Sequence, residues 1–97
     1  MEALQLHPDA RDVWEGVREA VARMPRTRIV AEADGYLHAE CESRLLGFVD
    51  DLELHLRPDQ GVVAVRSASR LGYSDMGVNR ARVESLRSEL RVQGVVR

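Results

Sequence analysis

The sequence predicts an α+β domain in which two helices pack on one face of a four-stranded antiparallel meander, in the order α-β-β-β-β-α. Apolar residues recur at steps of three and four near each end of the chain, and four segments between them alternate apolar and polar residues. Two turn signals, Asp34-Gly35 and Pro58-Asp59-Gln60-Gly61, separate these segments in pairs. The 97 residues, 44% of them hydrophobic, suit one core, so residues 1–97 should form a single domain.

The first helix is expected to begin around His7-Pro8-Asp9, where Pro8 suits a first turn and Asp9 the positive end of the helix dipole. It should end near Met24, because Pro25 disfavours helical geometry in the residue before it. Its apolar stripe consists of Ala10, Val13, Trp14, Val17, Ala20, Val21 and Met24. This one-sided stripe predicts a helix that lies on the sheet.

Four strands are expected between the helices. Thr27 to Ala33 and Tyr36 to Glu42 flank Asp34-Gly35, while Phe48 to Arg57 and Val62 to Ser69 flank the second turn. Because each pair is joined by a short turn, the four strands should form two hairpins and one meander.

The second helix is expected from about Met76 to Val92, with Ser74 or Asp75 as its N-cap. Its inner face is marked by Val83, Leu86 and Leu90, which are spaced at three and four residues. Both helices are apolar on one side only, so we place both on the same face of the sheet.

The turn at 58–61 fixes a register that sorts the polar residues between two faces. If Arg57 lies opposite Val62, Glu53 lies opposite Arg66 as a cross-strand ion pair on the outer face. Asp50 then lies beside Ser69 on the core face. The matching register of the second strand aligns His38 with Glu53, and Glu40 with Asp51, on the outer face.

The first strand conflicts with this pattern. A two-residue loop at Asp34-Gly35 pairs Ala31 with His38 and Ile29 with Glu40, which sends apolar residues outward and places Arg28 and Glu32 on the core side. Either this edge strand contains a bulge or the outer face is partly covered. A second copy of the chain could cover it around Ile29, Ala31, Tyr36 and His38, which predicts a homodimer.

Composition narrows the class of protein. The net charge is −2 although 31% of residues are charged, so the chain lacks the basic surface of a nucleic-acid-binding protein. No apolar run is long enough to cross a membrane, the start of the chain lacks a signal-peptide pattern, and the single Cys41 cannot form an internal disulfide. We therefore expect a soluble cytoplasmic protein with no nucleic-acid or membrane partner.

The segment from Val65 to Arg82 carries the densest set of functional groups. A helix start beside several arginines can hold a small anion such as phosphate or a carboxylate. The candidate ligand-binding residues are Arg66, Ser67, Ser69, Arg70, Ser74, Asp75, Asn79, Arg80 and Arg82. The alternative is a structural latch, in which Arg70, Arg80 or Asn79 supplies hydrogen bonds to a partly buried Asp50 and holds the last helix to the sheet.

The third hypothesis is that the protein is an enzyme, with a metal site or an acid–base pair on the outer face. His38, Glu40, Asp51 and Glu53 could together ligate a divalent metal or act as acid and base. The sequence contains no recognisable nucleophile motif and no motif that identifies a cofactor. We interpret Cys41 as a small core residue. We therefore expect a domain that acts by binding, with Asp50, Asp51 and Glu53 in a structural network.

Three stretches resemble the domain-of-unknown-function family 1499, a family of small bacterial and plastid domains. They are Tyr36-Leu37-His38-Ala39-Glu40, Phe48-Val49-Asp50-Asp51-Leu52-Glu53, and the whole of Val65 to Arg82. The resemblance extends from about Val13 to Leu90 and implies no activity. It implies that the family motif falls on Asp50, Asp51, Glu53, Arg66, Ser67, Ser69, Arg70, Asp75, Asn79 and Arg82.

Overall fold

The computed structural model describes residues 1–44, 47–70 and 77–97. Its elements are β1 (Leu4–Gln5), α1 (Val13–Ala22), β2 (Thr27–Ala33), β3 (Tyr36–Glu42), β4 (Val49–Arg57), a 3₁₀ turn (Pro58–Gln60), β5 (Val62–Ser69) and α2 (Val78–Val92). The strands form one antiparallel sheet in the order β1-β5-β4-β3-β2. The α+β class is confirmed, but the sheet has five strands, not four, and a strand precedes the first helix.

The additional strand is β1, which lies along β5 with Leu4 opposite Val63 and Gln5 opposite Val62. Leu4 is fully buried, and Leu6, the residue after the strand, forms an isolated antiparallel bridge with Val96. A strand of two residues is too short to show an alternating pattern, so β1 could not be predicted from the sequence.

Both helices begin later than the sequence predicted. Residues 7–10 form a turn closed by the amide of Ala10 and the carbonyl of His7, and α1 starts only after Asp12, whose φ is 49°. The N-cap of α2 is Gly77, with φ 81° and no side-chain cap, so the prediction of Ser74 or Asp75 as the cap was wrong. Ser74, Asp75 and the predicted start at Met76 lie outside the described residues. The predicted end at Val92 is confirmed.

The predicted register of the second hairpin is confirmed, and that of the first is confirmed from the turn as far as Ala31. Ala33 lies opposite Tyr36, and Arg57 lies opposite Val62. Gly61 takes the left-handed conformation at φ 65°, the geometry that favours glycine at the end of this turn. The third of the predicted strands begins at Val49, one residue later than expected.

A β-bulge resolves the conflict in β2. Ala31 lies opposite His38 as predicted, but the register shifts at Val30, so that Ile29 pairs with Ala39 instead of Glu40. The extra residue turns Ile29 toward the core and Arg28 toward the outer face. The prediction that Ile29 belongs to the outer face was therefore wrong, because one inserted residue reverses the side of every residue before it.

The core lies between the helices and one face of the sheet. Val17, Ala20 and Val21 of α1 and Val83, Leu86 and Leu90 of α2 pack on buried sheet residues such as Leu37, Leu52, Leu54 and Val63. Both helices therefore cover the same face, as predicted, and neither of them covers the opposite face. No helix in the described part of the chain is both long and apolar enough to cross a bilayer.

Gly16 marks a close approach between α1 and the segment after α2. A Cβ atom built on Gly16 would lie 3.0 Å from Cγ2 of the buried Val95. We expect Gly16→Leu to lower the free energy of unfolding by about 2 kcal/mol, because the added atoms overpack this contact. Urea unfolding measures the loss, and Glu19→Leu on the exposed side of α1 is the control. Equal stability of the two variants would contradict the packing of α1 on Val95.

Candidate functional site

The polar residues singled out by the sequence separate into two clusters on opposite faces of the sheet. The core-side latch, between the sheet and α2, consists of Asp50, Ser67, Ser69, Asn79 and Arg82. The outer-face network, on the face that neither α1 nor α2 covers, consists of Arg28, Tyr36, His38, Glu40, Asp51, Glu53, Arg66 and Arg70. Alternation along β4 and β5 produces the separation, since neighbouring residues of a strand point to opposite faces.

The core-side latch is centred on an ion pair between Arg82 and Asp50. Nη2 of Arg82 lies 2.9 Å from Oδ2 of Asp50, and the two side chains are only 11% and 8% exposed. Nη1 of Arg82 donates to Oδ1 of Asn79 at 2.7 Å and to Oγ of Ser67 at 3.0 Å. These bonds connect α2 to both β4 and β5.

Asn79 completes the latch. It accepts a hydrogen bond from the Ser67 hydroxyl and donates from Nδ2 to Oγ of Ser69 at 3.2 Å. Among the described residues, no buried side-chain nitrogen or oxygen lacks a hydrogen-bond partner. A fully satisfied polar cluster of this kind fixes one position of a helix on a sheet.

The sequence predicted hydrogen-bond donors around a partly buried Asp50, but it misidentified the arginine. Asp50 receives its ion pair from Arg82, not from Arg70 or Arg80. Arg70 follows Ser69, which points to the core side, and therefore points to the outer face. Arg80 precedes Arg82 by two residues, or about 200° of helix rotation, and is exposed.

The outer-face network is centred on Asp51. Arg70 donates two hydrogen bonds to its carboxylate, from Nε to Oδ2 at 2.9 Å and from Nη2 to Oδ1 at 2.8 Å. His38 Nε2 lies 2.7 Å from the same Oδ1. Hydrogen bonding from Arg70, reinforced by His38, lowers the pKa of Asp51 to about 2. Since an ionised carboxylate only accepts hydrogen bonds, neutral His38 carries its proton on Nε2.

Two further carboxylates extend the network across the sheet. Glu40 accepts from Nη2 of Arg70 at 2.6 Å and from Nη2 of Arg28 at 3.1 Å, and these bonds lower its pKa. Glu53 accepts from the Tyr36 hydroxyl at 2.7 Å and, as the predicted cross-strand pair, from Arg66 Nη1 at 3.0 Å. Both contacts lower the pKa of Glu53, and the bond to Glu53 raises the pKa of Tyr36.

The four residues of the metal hypothesis all lie in this network, in the predicted rows of His38 with Glu53 and Glu40 with Asp51. Arginine guanidinium groups nevertheless occupy the carboxylate oxygens that a cation would need. Within residues 1–44, 47–70 and 77–97, no group of three or more His, Cys, Asp or Glu residues is arranged to hold a metal ion.

The remaining candidate residues are distributed more widely. Ala31 lies on the outer face with Tyr36 and His38, as expected. Arg80 is exposed on α2 and forms no ion pair within the described part of the chain, whereas Ser74 and Asp75 lie outside it. Sequence reasoning missed Arg28 as a partner of Glu40, because only the bulge at Val30 brings it to this face.

The buried ion pair predicts a large effect on stability. Arg82→Met should lower the free energy of unfolding by about 3 kcal/mol, because it leaves the Asp50 carboxylate buried without its partner. Arg66→Met, at an exposed ion pair, is the control and should cost no more than about 1 kcal/mol. Replacing both partners, Asp50→Leu with Arg82→Met, should restore much of the stability, which urea unfolding measures. Equal losses for the two single variants would contradict the latch.

The lowered pKa of Asp51 predicts a dependence of stability on pH. In the unfolded chain this carboxyl titrates near pH 3.9, above its value of about 2 in the folded protein, so protons bind preferentially to the unfolded state. The contribution of Asp51 is therefore complete above about pH 5 and is lost as the pH falls toward 2. We expect the stability difference between wild type and Asp51→Asn to shrink over that range in urea titrations.

Asp59→Asn, in the exposed turn at 58–61, is the control for the pH series. A difference between wild type and Asp51→Asn that stays constant from about pH 6 to pH 3 would contradict the assignment of the lowered pKa to Asp51.

The family comparison covers both clusters. A family model described as "Protein of unknown function (DUF1499)" matches residues 1–90 of the 97 residues. No curated protein and no solved structure matches the chain significantly. The match confirms the resemblance seen in the sequence and extends it to the start of the chain, so that it includes β1 and every residue of the latch and the outer-face network. The chain therefore belongs to the DUF1499 family of proteins of unknown function.

Proposed function

We propose that the domain is a non-catalytic interaction module that self-associates through its outer sheet face. The observation that carries this proposal is the outer-face network, a charge-balanced set of prearranged side chains on the face that neither helix covers. The partner is a second copy of the same chain, packed face to face.

The edges of the sheet favour association through the face. An unpaired edge can recruit another strand, but β2 contains a bulge at Val30 and carries Arg28 and Glu32. At the opposite edge, β1 consists of only Leu4 and Gln5, and Leu6 then forms a bridge with Val96. Bulges, charges and short edge strands discourage edge pairing, so the outer face is the better contact surface.

The charges on the outer face suit a second copy. The network contains three carboxylates, Glu40, Asp51 and Glu53, and three arginines, Arg28, Arg66 and Arg70. A face of one charge sign would repel its own copy, whereas a balanced face can place arginines of one copy against acids of the other. Balance also disfavours a strongly charged partner such as nucleic acid.

The arginines at the border of the network retain capacity for a partner. Arg28 and Arg66 are 78% and 66% exposed, and each uses a single guanidinium nitrogen in its ion pair. The central Asp51 is only 22% exposed and is held by three hydrogen bonds. Side chains already ordered in the free protein lose less entropy on association.

The same contacts support binding over catalysis. A general acid at neutral pH needs a raised pKa, but the hydrogen bonds of the network lower the pKa of Glu40, Asp51 and Glu53. His38 Nε2 is committed to Asp51.

The size of the face sets the expected affinity. The four longer strands, each about 4.8 Å wide, and about seven residues of roughly 3.3 Å each give a face of roughly 450 Å². Stable interfaces bury about 800 Å² per partner, so we expect a dimer in the micromolar range or weaker.

A small anionic ligand at Ser67 to Arg82 is the second candidate function. Arg80 favours it, because this exposed arginine near the start of α2 forms no ion pair with any described residue. Arg70 and Arg82 weigh against it, since each is already neutralised by a carboxylate.

Sedimentation velocity from about 5 to 500 μM tests the dimer. We expect reversible self-association at low salt that weakens near 1 M NaCl, where charge contacts are screened. Arg66→Glu should weaken association at least about tenfold, by placing like charges on the same face. Ala64→Arg should have the same effect without removing any ion pair of the monomer.

Arg80→Glu on α2 is the matched control and should associate like the wild type. A wild-type chain that stays monomeric at about 500 μM would overturn the dimer proposal. Addition of inorganic phosphate tests the second candidate function, small-anion binding. If it raises the melting temperature of the wild type but not of Arg80→Glu, the small-anion function gains support.

A further inference from the structure

A cavity of about 400 Å³ lies at the end of the domain where the N-terminal segment, the turn at 58–61 and the C-terminal tail meet. Its lining includes the apolar residues Leu6, Pro8 and Val13 and the polar residues His7, Gln60 and Arg97. It is separate from the latch and from the outer-face network, and the proposed dimer does not use it. Its volume falls in the range of small-molecule sites.

Backbone hydrogen bonds hold the three segments around the cavity. Leu6 N donates to Gly61 O at 3.0 Å, His7 N to Val95 O at 3.0 Å, and Arg97 N to Gln5 O at 2.9 Å. The cavity is therefore formed before any ligand arrives, which reduces the entropy cost of binding.

The polar groups of the cavity are arranged as donors. Arg97 donates from Nε to Leu6 O at 3.3 Å, which orients the guanidinium group and leaves both terminal nitrogens for another acceptor. His7 Nδ1 accepts a hydrogen bond from Asp9 N at 3.1 Å, so the proton of the neutral ring lies on Nε2. None of the described residues that line the cavity is Asp or Glu.

We propose that this cavity binds a small carboxylate with an apolar body. The planar guanidinium of Arg97 matches a carboxylate with two parallel hydrogen bonds, and Gln60 can donate from its amide. The apolar side contacts the rest of the ligand. The proposal is independent of the proposed self-association, and either can fail without the other.

Titration of the full chain with benzoate, followed by ¹H–¹⁵N NMR, tests this site. We expect saturable shifts in the amides of Leu6, His7, Val13 and Gly61. Arg97→Gln should weaken binding at least about tenfold by removing the paired donors. Because this variant also loses the bond to Leu6, Ala10→Leu provides a second test, since it fills the cavity and retains Arg97.

Two controls make the result specific. Arg11→Gln removes an exposed arginine outside the cavity lining and should bind benzoate like the wild type. Benzyl alcohol has a similar apolar body without the carboxylate and should bind at least about tenfold more weakly. Equal binding of benzoate and benzyl alcohol, equal binding by wild type and Ala10→Leu, or no saturable shift would overturn the proposal.

Discussion

The register of β4 against β5 is the constraint on which the rest of the structure depends. Two adjacent acids, Asp50 and Asp51, point to opposite faces of the sheet because neighbouring residues of a strand alternate. Asp50 points inward and pairs with Arg82 of α2, while Asp51 points outward and pairs with Arg70 in the outer-face network. A shift of one residue would exchange the two carboxylates and break both sets of contacts at once. The turn at 58–61, with Gly61 in the left-handed conformation, fixes that register.

The two clusters contribute differently to the protein. The ion pair of the latch is nearly buried. The net energy of the pair matters less than the cost of burying either charge without its partner, and this cost restricts α2 to one position. The outer-face network is more exposed and contributes little to stability through any single ion pair. Its role is to hold the carboxylates of Asp51, Glu40 and Glu53 ionised and in fixed positions on the face that neither α1 nor α2 covers.

Small irregularities allow a regular sheet to keep this arrangement. The bulge at Val30 turns Ile29 to the core and brings Arg28 to Glu40, while Ala31 and Glu32, after the bulge, keep the predicted register with His38 and Leu37. At the opposite edge, the short β1 and the bridge from Leu6 to Val96 bring the two ends of the chain together. The same junction forms the cavity lined by His7, Gln60 and Arg97.

The sequence by itself determined the α+β class, the two hairpins, the pairing of Glu53 with Arg66 and the alignment of His38 with Glu53, because alternation and short turns act over a few residues. Only the tertiary structure decided which arginine meets Asp50, since the choice among Arg70, Arg80 and Arg82 depends on how α2 is rotated against the sheet. The tertiary structure also determined that β1, the cavity and the bulge at Val30 form, because these features depend on contacts between segments far apart in the chain. Local patterns therefore specify the faces of each element, and the packing between elements selects the partners.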